Sequence, residues 1–243
     1  MSDAESKVTL RPRSKLERIL DGLEDSYGVP ARPNLDLVTQ LSLLLLVSGG
    51  ADGRGALAAL KPLCTKGAVE PPMLVELSRE MVATVCLPER VDETVASLRA
   101  LGAAAQADPP LEARCRGDAG EARRALRSLN IPEQRTDLML LQSGLHPLTA
   151  PSGNAVTVAA RVGYPGTSYA SFARVLDEEL PEQYAIAVAW RAHHLLDTHG
   201  KSLCTAKAPQ CARCPIRDAC AWHGEGPDPA GRLSWRAPPP SEG

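Results

Sequence analysis

Apolar residues recur with the spacing of α-helices along most of the chain, and no stretch alternates in the manner of a half-buried strand. The stretch LDLVTQLSLLLLVSGG (35–50) is apolar on nearly every face, which predicts a helix at the centre of a bundle, ended by its glycine pair. Another long helix is predicted between Pro181 and Gly200. The predicted helices span 15–26, 35–48, 54–64, 71–84, 89–105, 119–129, 133–143, 153–162, 168–178 and 181–199. The pattern therefore predicts an all-α protein.

The stretches without this periodicity are predicted to be tails or loops. Residues 1–11 and 224–243 have no apolar pattern and are predicted to be disordered, and the second of them is rich in proline. Residues 102–118, GAAAQADPPLEARCRGD, predict the longest loop between helices. The chemistry is therefore expected between residues 12 and 223.

Composition narrows the class of protein. Aromatic residues make up 3% of the chain and Phe172 is the sole phenylalanine, so the core must consist of aliphatic side chains. A chain of 243 residues can bury one large core or two small ones without disulfide bonds. The net charge of −2 provides no overall attraction to nucleic acid, so DNA binding would have to rest on a local basic surface. Any such binding is expected to be weak.

The sequence predicts neither a signal peptide nor a membrane span, because it has no N-terminal apolar region and no run of eighteen apolar residues. Its seven cysteines are an odd number, and four of them lie close together, which favours a reduced protein with a cofactor over a secreted disulfide scaffold. We expect a cytoplasmic monomer, associated with the nucleoid if it is bacterial. The isolated cysteines are expected to act as small buried hydrophobes, namely Cys64, Cys86 and Cys115.

Four cysteines near the C-terminus form the clearest candidate site. Thiolates are soft ligands that suit zinc or an iron–sulfur cluster, and the spacing C-x6-C-x2-C-x5-C alone permits both. A zinc site with four cysteines usually brings two CxxC knuckles, whereas the segment SLCTAKAPQCARCPIRDAC has one. We therefore favour one [4Fe-4S] cluster, with four predicted ligands: Cys204, Cys211, Cys214 and Cys220.

This spacing resembles that of the helix–hairpin–helix DNA glycosylases of the endonuclease III and adenine glycosylase type, which carry it near the C-terminus. The likeness continues in HGKSLC (199–204), in RVGY (161–164) and in LSLLLLVSGGADG (41–53), which is similar to the family's buried helix and following loop. The resemblance implies two all-helical domains that flank a DNA cleft. It implies an iron–sulfur domain of residues 12–33 and 150–223, and a six-helix domain of residues 34–149 with a degenerate hairpin near 129–137.

In relatives, the loop between the first two cysteines is rich in Lys and Arg that contact phosphate. Here that loop reads TAKAPQ, and Lys207 is its only basic residue. Each lost phosphate contact removes counterion-release affinity, so the resemblance implies weak binding to double-stranded DNA. Lys207 and Arg135 are the candidate DNA-binding residues.

The family's catalytic residues are missing at the positions that the resemblance assigns to them. The family hairpin reads Leu-Pro-Gly-x-Gly with a Schiff-base lysine two residues later, but LNIPEQRTD (129–137) lacks the glycines and has Arg135 at the lysine position. A guanidinium stays protonated and forms no imine, and no lysine occurs between Lys66 and Lys201. The family's catalytic aspartate corresponds to Ser152, which we interpret as a helix N-cap.

Two further comparisons with the family depend on the same register. The glutamine that wedges into the gap left by a flipped base is replaced here by glycine. The tripeptide Asp197-Thr198-His199 repeats the family's Asp-Thr-His, but it lies shortly before Cys204 at the predicted end of a helix. We interpret it as the frayed C-terminal turn of that helix.

The leading hypothesis is an endonuclease III-like base-excision-repair protein that binds duplex DNA and has lost lyase chemistry. Whether it is an enzyme stays open, because a residual glycosylase could use Asp137 or another carboxylate to activate water. The alternative is a structural or redox iron–sulfur module that mediates protein contacts. Salt-sensitive affinity for duplex DNA distinguishes the first hypothesis from the second.

Overall fold

The computed structural model describes residues 13–164, 168–180 and 185–224. Within them the chain forms thirteen α-helices and one hairpin of two short strands, so the protein is all-α, as the periodicity predicts. The predicted tails lie outside the described residues, apart from Gly224. The described chain divides into two compact units, which are unit 1 (13–28, 151–164, 168–180 and 194–224) and unit 2 (29–150 and 185–193).

Unit 2 contains eight complete helices. Their bounds are α2 (Leu37–Ser48), α3 (Gly53–Leu60), α4 (Pro71–Val75), α5 (Arg79–Ala83), α6 (Val91–Gln106), α7 (Leu111–Arg116), α8 (Ala119–Arg127) and α9 (Glu133–Gln142). Helix α2 begins at the N-cap Asp36, whose carboxylate accepts from the backbone N–H of Thr39 at 2.9 Å, and it ends at Gly49. Its leucines and Val38 belong to the main core of the unit, as predicted for a central helix, whereas Val47 is exposed.

Two predicted features of unit 2 are wrong. The single helix over 71–84 is broken between α4 and α5, because the side chain of Ser78 caps α5 and the guanidinium of Arg99 donates to the carbonyl of Leu77 at 2.7 Å. The predicted loop over 102–118 instead contains the end of α6 and all of α7, which buries Leu111 and Cys115 on one face. These changes raise the number of helices between residues 34 and 149 from six to eight.

A short antiparallel hairpin also forms where no strand was predicted. Strand β1 (Cys64–Thr65) pairs with β2 (Ala68–Val69) across a turn in which Lys66 and Gly67 have φ values of 52° and 86°. Two residues per strand are too few to produce the alternating pattern by which strands are recognised in a sequence.

Unit 1 surrounds an aliphatic core and holds the C-terminal cysteines. Its helices are α1 (Lys15–Tyr27), α10 (Gly153–Arg161), α11 (Tyr169–Glu179), the second half of α12 (Ile186–Ser202) and α13 (Ala221–Gly224). A capping box between Ser14 and Glu17 begins α1, whose buried leucines and isoleucine pack into the core with Phe172 of α11. The hydroxyl of Ser152 accepts from the backbone N–H of Ala155 at 3.1 Å, so Ser152 is the N-cap of α10, as predicted.

The long helix α12 differs from its prediction in two ways. Its first half belongs to unit 2, where Trp190 is buried and donates its indole N–H to the carbonyl of Pro30 at 2.9 Å, rather than to the iron–sulfur domain. The helix also continues through Gly200 to Ser202. A Cβ at Gly200 would lie 2.6 Å from the Cβ of Asn154, so this glycine permits α12 to approach α10 closely and does not end the helix. The predicted start at Pro181 lies outside the described residues.

Candidate functional site

The four C-terminal cysteines line one pocket in unit 1. Cys204 lies two residues after the end of α12, Cys211 begins a short 3-10 turn that leads to Cys214, and a second such turn leads to Cys220. The remaining wall of the pocket is largely apolar, with Val158, Leu203, Ile216 and Trp222 among its residues. The structure therefore brings together all four predicted ligands.

Arg161, the last residue of α10, binds the loop that begins at Cys204. Its guanidinium donates to the carbonyls of Cys204, Thr205 and Ala206 at 2.8–2.9 Å, and to Sγ of Cys204 at 3.3 Å. It also lies over the ring of Trp222, 5.0 Å from the centroid. Because a guanidinium presents its donors in a rigid fork, one side chain satisfies three loop carbonyls at once. Arg161 thus organises the backbone that carries the first cysteine.

We predict that Arg161→Met lowers the free energy of unfolding of unit 1 by about 2–3 kcal/mol, the scale of hydrogen bonds to a charged donor. The methionine keeps most of the apolar stem and leaves the loop carbonyls without their donor. Urea denaturation followed by circular dichroism measures the change. Arg174→Met, at an exposed position of α11, is the matched control and should change stability little. An equal loss in both variants would contradict the organising role of Arg161.

The thiols of the pocket are perturbed by their surroundings. Burial raises the pKa of Cys204 and of Cys214, while the hydrogen bond and charge of Arg161 partly counteract this at Cys204. The other cysteines of the set also raise these two pKa values, because thiolates repel one another at short range. A bound cation reverses this preference, because its charge stabilises the thiolates.

Among the residues that the structure describes, no group of three or more His, Cys, Asp or Glu side chains forms a site for a single metal ion.

His199 adds a buried imidazole beside the cysteines. Its Nε2 atom lies 3.6 Å from Sγ of Cys214, and its Nδ1 atom lies 2.8 Å from the hydroxyl of Tyr27 on α1. Only 1% of the residue is exposed, and burial lowers the pKa of His199 to about 4. The interpretation of Asp197-Thr198-His199 as a frayed turn is therefore wrong, because His199 is packed within a continuing helix.

Asp197 of the same tripeptide lies at the N-terminus of α10. Its carboxylate accepts from Nδ2 of Asn154 at 2.9 Å, from Nζ of Lys201 at 2.6 Å and from the hydroxyl of Ser152. Burial would raise the pKa of Asp197, but these three hydrogen bonds and the charge of Lys201 outweigh it, so the pKa is lowered. An ionised carboxylate thus lies next to Ser152.

The predicted hairpin is a tight turn between α8 and α9. Asn130 in this turn has φ 58°, a left-handed conformation that asparagine tolerates better than most residues other than glycine. Arg135 lies in the first turn of α9 and is exposed. The chain therefore retains a turn between these helices without the glycines of the family hairpin.

Asp137 is engaged in a buried ion pair. Its side chain is 5% exposed and accepts two hydrogen bonds from Arg123, at 2.7 and 3.2 Å. Breaking such a pair leaves a buried charge without its partner, so the pair contributes to holding α8 against α9. Asp137 is accordingly not positioned as the open carboxylate that the sequence suggested for water activation.

The surface around the pocket is more basic than its first loop alone indicates. Lys207 is exposed in that loop, and Arg213 and Arg217 are exposed in the two 3-10 turns between the later cysteines. These two arginines were not predicted from the sequence, because they lie outside the loop between Cys204 and Cys211 in which relatives carry phosphate-binding cations. Their position between ligand cysteines was the signal that could have identified them.

Two of the three cysteines outside the pocket are buried, as predicted. Cys86 and Cys115 are buried in the core of unit 2, and burial raises the pKa of Cys115 to about 11. Cys64 is half-buried, and its Sγ lies 3.2 Å from the carbonyl of Leu60.

In the described part of the chain, no helix combines the length and the apolar character that a bilayer span requires.

Comparison with known proteins identifies the fold. No family model matches the sequence, and no curated protein sequence matches it. A trapped endonuclease III–DNA covalent intermediate, an estranged-adenine complex, superposes with a TM-score of 0.60 and 16% identity over 89% of this chain and 98% of that one. A non-covalent endonuclease III–DNA complex superposes with a TM-score of 0.63 and 15% identity over the same shares. The chain therefore has the all-α endonuclease III fold.

Proposed function

We propose that this chain is an endonuclease III-like base-excision-repair protein that binds duplex DNA weakly, holds one [4Fe-4S] cluster and has lost lyase chemistry. One observation carries the proposal: the four cysteines of the C-x6-C-x2-C-x5-C segment line a single pocket in a chain with the endonuclease III fold. We further propose that it acts as a monomer in the cytoplasm, where thiols stay reduced and DNA is accessible.

The residues around the pocket fit an iron–sulfur cluster. Four thiolates are its usual ligands, and the hydrogen bond from Arg161 to Sγ of Cys204 is the kind of contact that such sulfurs receive. A single zinc ion would draw all four sulfurs to about 2.3 Å from one point. Such a zinc site usually brings two CxxC knuckles, whereas this segment has one. When bound, the cluster would tie together the loops that carry Lys207, Arg213 and Arg217.

A local basic surface supports DNA binding despite the negative net charge. Lys207, Arg213 and Arg217 are exposed on loops that the ligand cysteines anchor. Arg135 is exposed at the start of α9, where its guanidinium can reach a phosphate. Few cations contribute, so the affinity should be modest and strongly dependent on salt.

We predict that Lys207→Ala weakens binding to a duplex with a tetrahydrofuran abasic analogue and lowers the slope of log K against log salt by about 1. Arg135→Ala should have a similar effect, because each change removes one phosphate contact. Fluorescence anisotropy over a series of salt concentrations gives both quantities.

Lys61→Ala is the matched control for this measurement, because Lys61 is an exposed lysine in a 3-10 turn far along the chain from the four pocket cysteines. Its salt slope should equal that of the unmodified protein. An unchanged slope for Lys207→Ala would remove Lys207 from the interface. Absence of binding at every salt concentration would overturn the DNA-binding function and favour the module that mediates protein contacts.

Any residual glycosylase activity would depend on Asp197. Removal of a base leaves positive charge on the sugar, which a nearby carboxylate stabilises and Ser152 cannot. The carboxylate of Asp197 lies within hydrogen-bond distance of Ser152, and its side chain is 15% exposed. An ionised carboxylate has about four acceptor sites, and three donors occupy this one, which leaves capacity for a cationic group.

We predict that the protein prefers a duplex with a cationic pyrrolidine abasic analogue over one with the neutral tetrahydrofuran analogue. Asp197→Asn should abolish this preference, whereas Lys207→Ala should weaken both duplexes equally. Lys201→Met should strengthen it, because one carboxylate oxygen is then released. Competition anisotropy with the two duplexes measures the ratio of affinities. Equal affinity of the unmodified protein for both duplexes would exclude Asp197 from this role.

A further inference from the structure

A chain of hydrogen bonds leads from α1 to one of the pocket cysteines. The hydroxyl of Tyr27 lies 2.8 Å from Nδ1 of His199, and Nε2 of His199 lies 3.6 Å from Sγ of Cys214, within the range of an N–H···S hydrogen bond. The rings of Tyr27 and His199 also pack together, with centroids 5.9 Å apart. His199 is 1% exposed, so the imidazole has no access to water as an alternative partner.

The chemistry of the partners determines the direction of these bonds. A thiolate accepts hydrogen bonds and has none to donate, so Nε2 of His199 must carry the hydrogen that points to Cys214. Nδ1 is then the acceptor of a neutral ring, and the Tyr27 hydroxyl must be its donor. Tyr27 therefore selects the histidine tautomer that donates to the cysteine.

We propose that Tyr27 and His199 are positioning residues that hold one N–H···S hydrogen bond on Cys214 and thereby raise the reduction potential of the cluster. This inference rests on the proposed cofactor. A hydrogen bond to a ligand sulfur offsets negative charge, which stabilises the reduced form more than the oxidised form. Loss of the bond should lower the potential.

The positions of Tyr27 and His199 explain how the hydrogen bond to Cys214 is held in place. His199 lies on α12 five residues before Cys204, and the backbone N–H of Cys204 donates to the His199 carbonyl at 2.8 Å. The ring of His199 nevertheless lies beside Sγ of Cys214, the third of the four pocket cysteines. One residue thus contacts two parts of the cysteine region, and Tyr27 fixes its ring from α1.

The test is direct electrochemistry of the full-length, anaerobically purified protein adsorbed on an electrode, which supplies and accepts the electrons. Tyr27→Phe removes the hydroxyl alone, and His199→Leu removes the ring. Both should lower the midpoint potential, with the larger shift for His199→Leu, and His199→Gln should restore part of it because its amide can donate. Resonance Raman spectra should show a shifted iron–cysteine stretching band in the same variants.

His146→Gln is the matched control, because its ring bonds to the carbonyl of Cys115 in unit 2. It should leave the potential unchanged. If His199→Leu fails to take up iron, Tyr27→Phe decides the matter, since it alters one atom. An unchanged potential and Raman band in Tyr27→Phe with full iron content would overturn this inference and leave the proposed function intact. Unmodified protein without iron would overturn the proposed cofactor and this inference with it.

Discussion

Replacement of Cys214 by serine is expected to abolish the brown colour and the iron content of the purified protein, and to destabilise unit 1 by more than about 4 kcal/mol. Residues 203–220 contain only two short 3-10 turns as regular structure, so few backbone hydrogen bonds hold this segment by themselves. A bound centre would link the loops of this segment through the four cysteines that line the pocket. Loss of one ligand removes that link, and binding free energy that had contributed to folding is lost.

Metal analysis, visible absorbance and urea denaturation of anaerobically prepared protein measure the three parts of this prediction. The unmodified protein should contain about four iron atoms and little zinc per chain. Cys64→Ser is the control, because Cys64 is half-buried in unit 2 and lies outside the pocket. This variant should keep its iron. Stoichiometric zinc in the unmodified protein would replace the iron–sulfur assignment with a zinc site.

The second large effect is an absence of covalent chemistry: the protein should give no borohydride-trapped complex with an abasic-site duplex and no strand cleavage above the buffer control. Imine formation needs an amine with an available lone pair, and a carboxylate to assist it. In the register that the family resemblance implies, Arg135 takes the lysine position, and a guanidinium forms no imine. Lys201 lies near Ser152, but its amine forms an ion pair of 2.6 Å with Asp197. An ammonium held in this way lacks the lone pair for attack.

Lys201→Met provides the control for this assay. Trapping by the unmodified protein that disappears in Lys201→Met would identify Lys201 as the reactive amine and would contradict the loss of lyase chemistry. Trapping that persists in Lys201→Met would show that another lysine is used and that the register between Leu129 and Tyr164 is wrong.

Restoration of the family residues tests whether their loss is the main defect. Arg135→Lys combined with Ser152→Asp should yield measurable cleavage, although the hairpin glycines are still missing. The structure adds one requirement: an aspartate at position 152 would lie against the carboxylate of Asp197, which now bonds to Ser152. Two carboxylates in contact repel each other, so addition of Asp197→Asn should increase the cleavage further. A triple variant that is less active than the double would contradict this arrangement.

Several conclusions needed the sequence alone, because they depend on residue identity or on short spacings. The four cysteines are close along the chain, so their convergence on one pocket followed from their spacing. A guanidinium at position 135 provides no free amine, whatever the fold around it. The helical periodicity of α2, α6 and α9 is long enough to predict each helix.

Helix bounds predicted from the local sequence were wrong where tertiary contacts compete with the hydrophobic periodicity. The break between α4 and α5 depends on Arg99, which reaches the Leu77 carbonyl from 22 residues away. Helix α7 has six residues and begins after a proline pair, so its two buried side chains carried too little pattern against a strong loop signal. Gly200 resembles a helix stop, but its role is set by the close approach of Asn154.

The surroundings of the candidate site were decided by tertiary structure alone. The contact of Arg161 with Cys204 and that of Asn154 with Asp197 each join residues 43 positions apart, and the bond between Tyr27 and His199 joins residues 172 apart. No periodicity or motif spans such separations, because these pairs meet only after α1, α10 and α12 have packed around a common core. The sequence by itself determined that four closely spaced cysteines are candidate ligands and that no lysine occurs between Lys66 and Lys201. Packing decided that Arg161 and His199 contact these cysteines and that the carboxylate of Asp197 lies beside Ser152.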